Sequence, residues 1–397
     1  MDNTLNLSRI PKELRLILEL VKEGNEQFVE EHQERLCKDI DWDLFIDQVK
    51  HHRVYPLLHF KIKLLDEYLV PSKVVQFLNK QYKRNTLQML RLAAEMEYVS
   101  RLFTEDNIRL LFLKGPVLAH GLYGDISLRT SSDLDMLIPI EQLEKAEQIL
   151  VGLGYEKDDY IQTVLNDWKW RHHHVTYIHP QNKIKLEIHW RLHPGPAREP
   201  SFDELWERKN RCTLTSYSAY ILGQEDLFLF LVSHGARHGW SRLRWLLDIH
   251  QLMRQEMDWK NAYKLLKKYH QLHVGGQGVD LATQLLNTEF TNEMKPLLSK
   301  HSNRLAQQAI FYLETMVNLH TDPVPKKIAH YHKRHLFSLM SSKQKLLFIL
   351  SFLYPYPEDR ETLPLPEKLH FLYFPLRPIL WAWRKTRKHA YPRGKQV

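Results

Sequence analysis

Residues 112–138 read FLKGPVLAHGLYGDISLRTSSDLDMLI. The segment opens as the end of a short apolar run, RLLFLKG (109–115), whose size and closing glycine suit a buried strand. It ends in SDLDMLIP (132–139), where polar and apolar residues alternate until a proline stops them. Side chains on a strand alternate between faces, so Asp133 and Asp135 point one way and Leu134, Met136 and Ile138 the other, towards a core. Two adjacent carboxylates repel each other unless a cation lies between them. Magnesium suits such a pair, because it prefers oxygen ligands and takes one or two carboxylates together with substrate phosphates.

Downstream, RHHHVTYIH (171–179) and KIKLEIHW (183–190) flank Pro180-Gln181-Asn182, which predicts a hairpin. In its second strand Ile184, Leu186, Ile188 and Trp190 share one face, and Lys183, Lys185, Glu187 and His189 share the other. Glu187 is thus a third acid on a neighbouring strand. Three such acids can hold two metal ions roughly 3.5–4 Å apart, the spacing that clamps the attacking and leaving oxygens of a phosphoryl displacement. Lys114, at the end of the first strand, can neutralise triphosphate charge. Gly115 lets the backbone approach phosphate, Arg129 offers a fork of donors, and Ser132 borders the acids.

The surroundings of this segment read differently. Residues 1–104 carry helical spacing, including a segment near 43–52 and a long one from about 71 to 103, with Val75, Phe77, Leu78, Tyr82, Leu87, Leu90, Leu92 and Ala93 as its apolar positions. EQLEKAEQILVGLGY (141–155) reads as an amphipathic helix with a glycine end. From residue 203 onward the chain again reads as mainly helical. The expected organisation is an N-terminal helical region (1–104), a mixed α/β core (105–200), a C-terminal helical domain (201–376) and a basic, aromatic tail (377–397).

Composition sets the outer bounds. The 397 residues are 43% hydrophobic and 26% charged, which is ordinary for a globular chain. Two cysteines, Cys37 and Cys212, lie far apart and fit neither a disulfide framework nor a CxxC zinc site. The start shows no signal-peptide pattern, and the most apolar run, LLFILSFLY (346–354), is too short to cross a hydrocarbon core about 30 Å thick. The expected setting is the cytoplasm. Of the net charge of +9, the seven basic residues Arg377, Arg384, Lys385, Arg387, Lys388, Arg393 and Lys395 account for +7, with no Asp or Glu among them. That leaves +2 for residues 1–376. Trp381, Trp383 and Tyr391 interleave with those charges, a pattern suited to an anionic membrane surface or to RNA.

The stretch resembles the polymerase-beta-type nucleotidyltransferase superfamily and, more narrowly, the uncharacterised nucleotidyltransferase family. The resemblance rests on Leu113-Lys114-Gly115, Tyr123, Arg129, Asp133-Leu134-Asp135, Leu186-Glu187-Ile188-His189-Trp190 and HGARHGWSRLRWLLD (234–248). It implies an α+β fold, a nucleotidyltransferase core of mixed sheet and helices flanked by helical domains. It also implies transfer of a nucleotidyl group from ATP or another nucleoside triphosphate (NTP) to a hydroxyl-type acceptor on a small molecule, peptide or RNA. Asp133, Asp135 and Glu187 would be catalytic and hold magnesium, two ions in all. Lys114, Gly115, Arg129 and Ser132 would bind the nucleotide. Where the wider superfamily has Gly-Ser at the turn, this chain has Lys114-Gly115-Pro116. The rival expectation is a nucleotide- or RNA-binding protein that keeps the fold without turnover. The His172-His173-His174 run reads as a polar strand, since neighbours alternate sides. His234 and His238 share a helix face and read as packing residues, with contact to the nucleotide or acceptor as the alternative. Asp248, amid apolar residues, demands a buried partner, with Arg242, Arg244 or a helix cap elsewhere as the candidates.

Overall fold

The computed structural model describes residues 4–390 apart from Ser218, His320 and Asp322, with side chains through Thr386. Seven strands form one mixed sheet: β1 (Leu111–Phe112), β2 (Asp133–Leu137), β3 (Glu156–Lys157), β4 (His174–Ile178), β5 (Lys185–His189), β6 (Asn210–Cys212) and β7 (Ala219–Ile221). Their spatial order is β3-β4-β5-β2-β1-β7-β6. The hairpin β4–β5 and the pair β1–β2 are antiparallel, whereas β2 and β5 run parallel at the centre. That parallel pairing places Asp135 directly across from Glu187, and Asp133 across from Lys185.

The apolar faces of β2 and β5 do what their alternation predicts. Leu134, Met136, Ile138, Leu186 and Ile188 are fully buried. They pack with Met89, Leu92, Met96, Val99 and Phe103, a 3-4-3-4 stripe on the helix Ser72–Glu105, and with Ala146 and Leu150 of the helix Leu143–Gly152. At 34 residues, the long helix spans about 50 Å. Its N-terminal half, through Val74 and Leu78, joins a second core built from the remaining helices. It therefore ties the sheet to the helical part of the chain.

Two sequence expectations change here. Val75, Leu87 and Leu90 are solvent-exposed, because the buried stripe runs through Val74, Leu78, Met89 and Leu92 instead. The sheet also continues past residue 200. The strands β6 and β7, of three residues each, are too short to show alternation, and they add an edge beside β1.

The basic tail begins inside the helix Tyr373–Ala390. Arg377 and Arg384 both reach the buried Asp359, so two of its charges serve the fold. Residues 391–397, with Tyr391, Arg393 and Lys395, lie outside the described residues. Among the described residues, no helix is long and apolar enough to cross a membrane.

Candidate active site

The polar ends of β2 and β5 open into a cleft of about 360 Å³. Asp133, Asp135, Glu187, Lys114 and Ser132 all line it, as the strand alternation predicts. Asp135 is almost fully buried, Glu187 is half-buried, and His189 lies buried beside them. One ligand atom from each of Asp135, Glu187 and His189 lies within 4.8 Å of the others. Asp133 borders this group, with Ser132 Oγ 3.4 Å from its carboxylate.

Cations already stand on these acids. Lys114 Nζ donates to Asp135 Oδ1 at 3.1 Å. Lys185 Nζ binds Glu187 and sits 3.9 Å from Asp133. Burial opposes ionisation of Asp135, but Lys114 and His189 outweigh it and hold its carboxyl far below the usual range. Burial also works against Glu187, and the contact with His189 brings its pKa down to about 2. Asp133 goes the other way, raised by burial and by the charges of Asp135 and Glu187.

Whether metal suits this set is decided by His189. Its Nε2 lies 3.3 Å from Asp135 Oδ1 and 3.6 Å from Glu187 Oε2 and favours their ionised forms, whereas among the described residues Nδ1 has no hydrogen-bond partner. A buried imidazole with an unsatisfied nitrogen carries a desolvation cost that a ligand removes. His174 Nε2 lies 3.8 Å from Glu187, and His173 is 3.2 Å from His174. The donor set of two or three carboxylates and an imidazole fits a divalent cation, with Lys114 and Lys185 supplying positive charge meanwhile. The signal for His189 was its position two residues after Glu187 on the same strand face.

The cleft also has a basic lining that sequence reading missed. Arg53, Arg237, Arg242 and Arg244 form it together with His234, His238 and Trp245. Arg53 closes the helix Trp42–His52 in a left-handed conformation. The others come from the end of the helix Gln224–Arg237 and the start of the helix Leu243–Met253. Arg244 Nη1 donates to Thr130 O at 2.6 Å and to Thr130 Oγ1 at 2.9 Å. Burial pulls the pKa of Arg244 down to about 9, and Arg129 and Arg53 add to the shift. A cation so placed is stabilised by an arriving anion. Three arginines within the eight residues 237–244 were the available signal.

Two residues expected to bind nucleotide carry structural contacts, and one of them, Arg129, also lines the cleft. Arg129 is buried, and its guanidinium grips Asp248 through Nε (2.8 Å) and Nη2 (2.9 Å), while Nη1 donates to Thr130 O. Tyr123 adds a hydroxyl donor to Asp248 at 3.0 Å. Arg129, not Arg242 or Arg244, is thus the partner that Asp248 demanded. Gly115 lies outside the cleft lining. Its φ of +86° caps the helix Pro116–Tyr123, and a Cβ there would meet Leu134 Cδ2 at 3.2 Å, so glycine serves the turn and the close packing on β2. A larger cavity, about 560 Å³ beside Glu147 and Trp168, contains none of the three acids.

A mixed sheet with Asp-x-Asp on one strand and a third acid in register on the next is the core of a nucleotidyltransferase. The family described as uncharacterised nucleotidyltransferase matches residues 38–287, and the chain belongs to it. The match runs from the helix Trp42–His52 through the arginine wall and stops before the C-terminal helices. No curated protein matches the chain.

Proposed function

We propose that the cleft transfers a nucleotidyl group from a magnesium-bound nucleoside triphosphate to an acceptor oxygen, with release of pyrophosphate. The observation that carries the reading is the gathering of two opposite charge sets in one cleft: Asp133, Asp135 and Glu187 from the sheet, and Arg53, Arg242 and Arg244 from the helical part of the chain. Metal-bearing acids and a phosphate-binding wall are the two requirements of phosphoryl chemistry without a covalent enzyme intermediate.

In this reading Asp135, Glu187 and His189 would hold a divalent ion, and Asp133 would contribute to a second. The bound ion supplies charge neutralisation and orientation at the α-phosphate. Arg242, Arg244 and Arg53 draw in the β- and γ-phosphates. Lys114, which donates to Asp135, would also be placed to contact phosphate. Glu187, ionised and beside the acceptor's approach, is placed to receive the proton of an acceptor hydroxyl.

Pyrophosphate release from each of the four ribonucleoside triphosphates, with and without magnesium, tests the reading. Release that needs magnesium and disappears in Asp135→Asn supports it. Release of orthophosphate in its place contradicts it.

A further inference from the structure

A second cavity of about 500 Å³ adjoins the cleft. It is lined by Trp170, Leu336, Leu339, Met340, Phe348 and Tyr356, so its walls are largely apolar and aromatic. Arg237 lines both cavities, and its Nη1 lies 3.5 Å from His193 Nδ1 at the boundary. Among the described residues no carboxylate forms an ion pair with Arg237. The acid that acts on it most, Glu199, is bound to Arg191 at 3.0 Å. Burial lowers its pKa to about 10. An arginine without an acid at the junction of an apolar chamber and a phosphate-binding cleft is a fixed anchor for an anionic head.

We infer that this chamber is the acceptor site, and that the acceptor is an amphipathic molecule whose apolar body fills it and whose anionic head meets Arg237. The inference rests on the nucleotidyl-transfer reading of the cleft. An oxygen of that head, or one beside it, forms the new bond to the α-phosphorus. The bond from the α-phosphorus to the bridging oxygen breaks, and pyrophosphate leaves with the electron pair. A proton on the attacking oxygen, where there is one, passes to Glu187.

Calorimetric titration of the full chain with decyl phosphate, decanoate and decanol tests this. The expected result is binding of an anionic probe about tenfold tighter than decanol, lost in Ser351→Trp, which fills the chamber, and reduced to the level of decanol in Arg237→Gln. A preference for decyl phosphate assigns a phosphate head and a preference for decanoate a carboxylate head. Equal binding of decanol, or binding unchanged in both variants, overturns the inference. Titration with ATP and magnesium on the same protein keeps the two readings apart. Nucleotide binding without probe binding fails the chamber alone, and probe binding without nucleotide binding fails the cleft reading alone.

A separate observation carries a second proposal. The helix Ser342–Ser351 turns Phe348 and Ser351 into the chamber, yet exposes Leu346, Leu347, Ile349 and Leu350. Phe352, Leu353, Phe371, Phe374, Ile379 and Trp381 are exposed as well, with Leu346, Leu353 and Ile379 at 58%, 59% and 62%, and the contacts Arg377–Phe352 and Tyr354–Phe374 bring the last helix beside this one. Scattered apolar residues are normal on a surface, but a cluster of this size marks an interaction site. Nine Lys and Arg against four Asp and Glu occupy residues 342–390. An exposed apolar face in a segment with an excess of basic residues matches an anionic bilayer surface, where both aliphatic and aromatic side chains insert. We propose that this face docks on anionic lipid. Sedimentation with phosphatidylglycerol-containing vesicles is expected to carry the protein down, with about tenfold weaker partitioning for Leu346→Ser/Leu353→Ser/Ile379→Ser. Absence of partitioning, stronger binding to poly(U), or a dimer that this variant splits overturns it.

Discussion

Arg129 and Asp248, 119 residues apart, form a two-pronged buried ion pair that joins the loop before β2 to the helix Leu243–Met253. Asn85 of the long helix donates to Ser127 O (2.7 Å) and Arg129 O (3.2 Å), holding the same loop from behind. The two carboxylates of β2 and the arginine wall are therefore fixed relative to each other by one clamp. Removing one partner leaves a buried charge uncompensated. Arg129→Ala is expected to cost roughly 3–5 kcal/mol. Urea unfolding checks this, and a loss below about 1 kcal/mol would return Arg129 to the nucleotide.

Lys114 bears on the other half of the cleft. Its contact with Asp135 places a cation where metal-bound triphosphate arrives. Lys114→Ala is expected to weaken nucleotide binding in magnesium by roughly 1–3 kcal/mol, the range for a lost charged hydrogen bond. An unchanged Kd in calorimetry would leave Lys114 as the ion-pair partner of Asp135 and nothing more.

His189 adds an imidazole to an oxygen-rich set. Nitrogen donors favour later first-row ions such as Co²⁺ over Mg²⁺. His189→Gln should lower Co²⁺ affinity about tenfold and leave Mg²⁺ affinity nearly unchanged. Visible absorption of bound Co²⁺ reports the loss directly, and an identical spectrum in the variant would remove His189 from the metal shell.

The helical part of the molecule has its own acid sensitivity. His250 and His335 are buried, and burial holds each at a pKa of about 4. Unfolded histidine takes up its proton near pH 6.5, so between pH 6.5 and 4 the unfolded chain binds more protons than the native one. Stability is full above pH 6.5 and falls as pH drops towards 4. Each histidine accounts for about 2–3 kcal/mol of that fall. Thermal melts of His250→Gln and wild type across this range should converge as pH falls, and a constant difference would contradict the assignment.

Much of the core was readable because its signals are local. Alternation on β2 and β5 oriented Asp133, Asp135 and Glu187 before any packing was known, and the turn at Pro180-Gln181-Asn182 set the hairpin that presents Glu187. The clamp and the arginine wall depend on contacts across more than a hundred residues, which no local period encodes. The sequence therefore offered Arg242 and Arg244 as partners of Asp248 and did not pair it with Arg129. β6 and β7 have three residues each, too few for alternation to register, and exist because β1 offers them an edge.

The central claim, nucleotidyl transfer at Asp133 and Asp135, is tested most directly with radiolabelled nucleoside triphosphates incubated with the protein, magnesium and a cell extract. The account predicts that label from the α-phosphate appears on an acceptor, that label from the γ-phosphate does not, and that Asp133→Asn/Asp135→Asn gives no labelling while melting like wild type. Transfer of the γ-label, or equal α-labelling by the double variant, would contradict it.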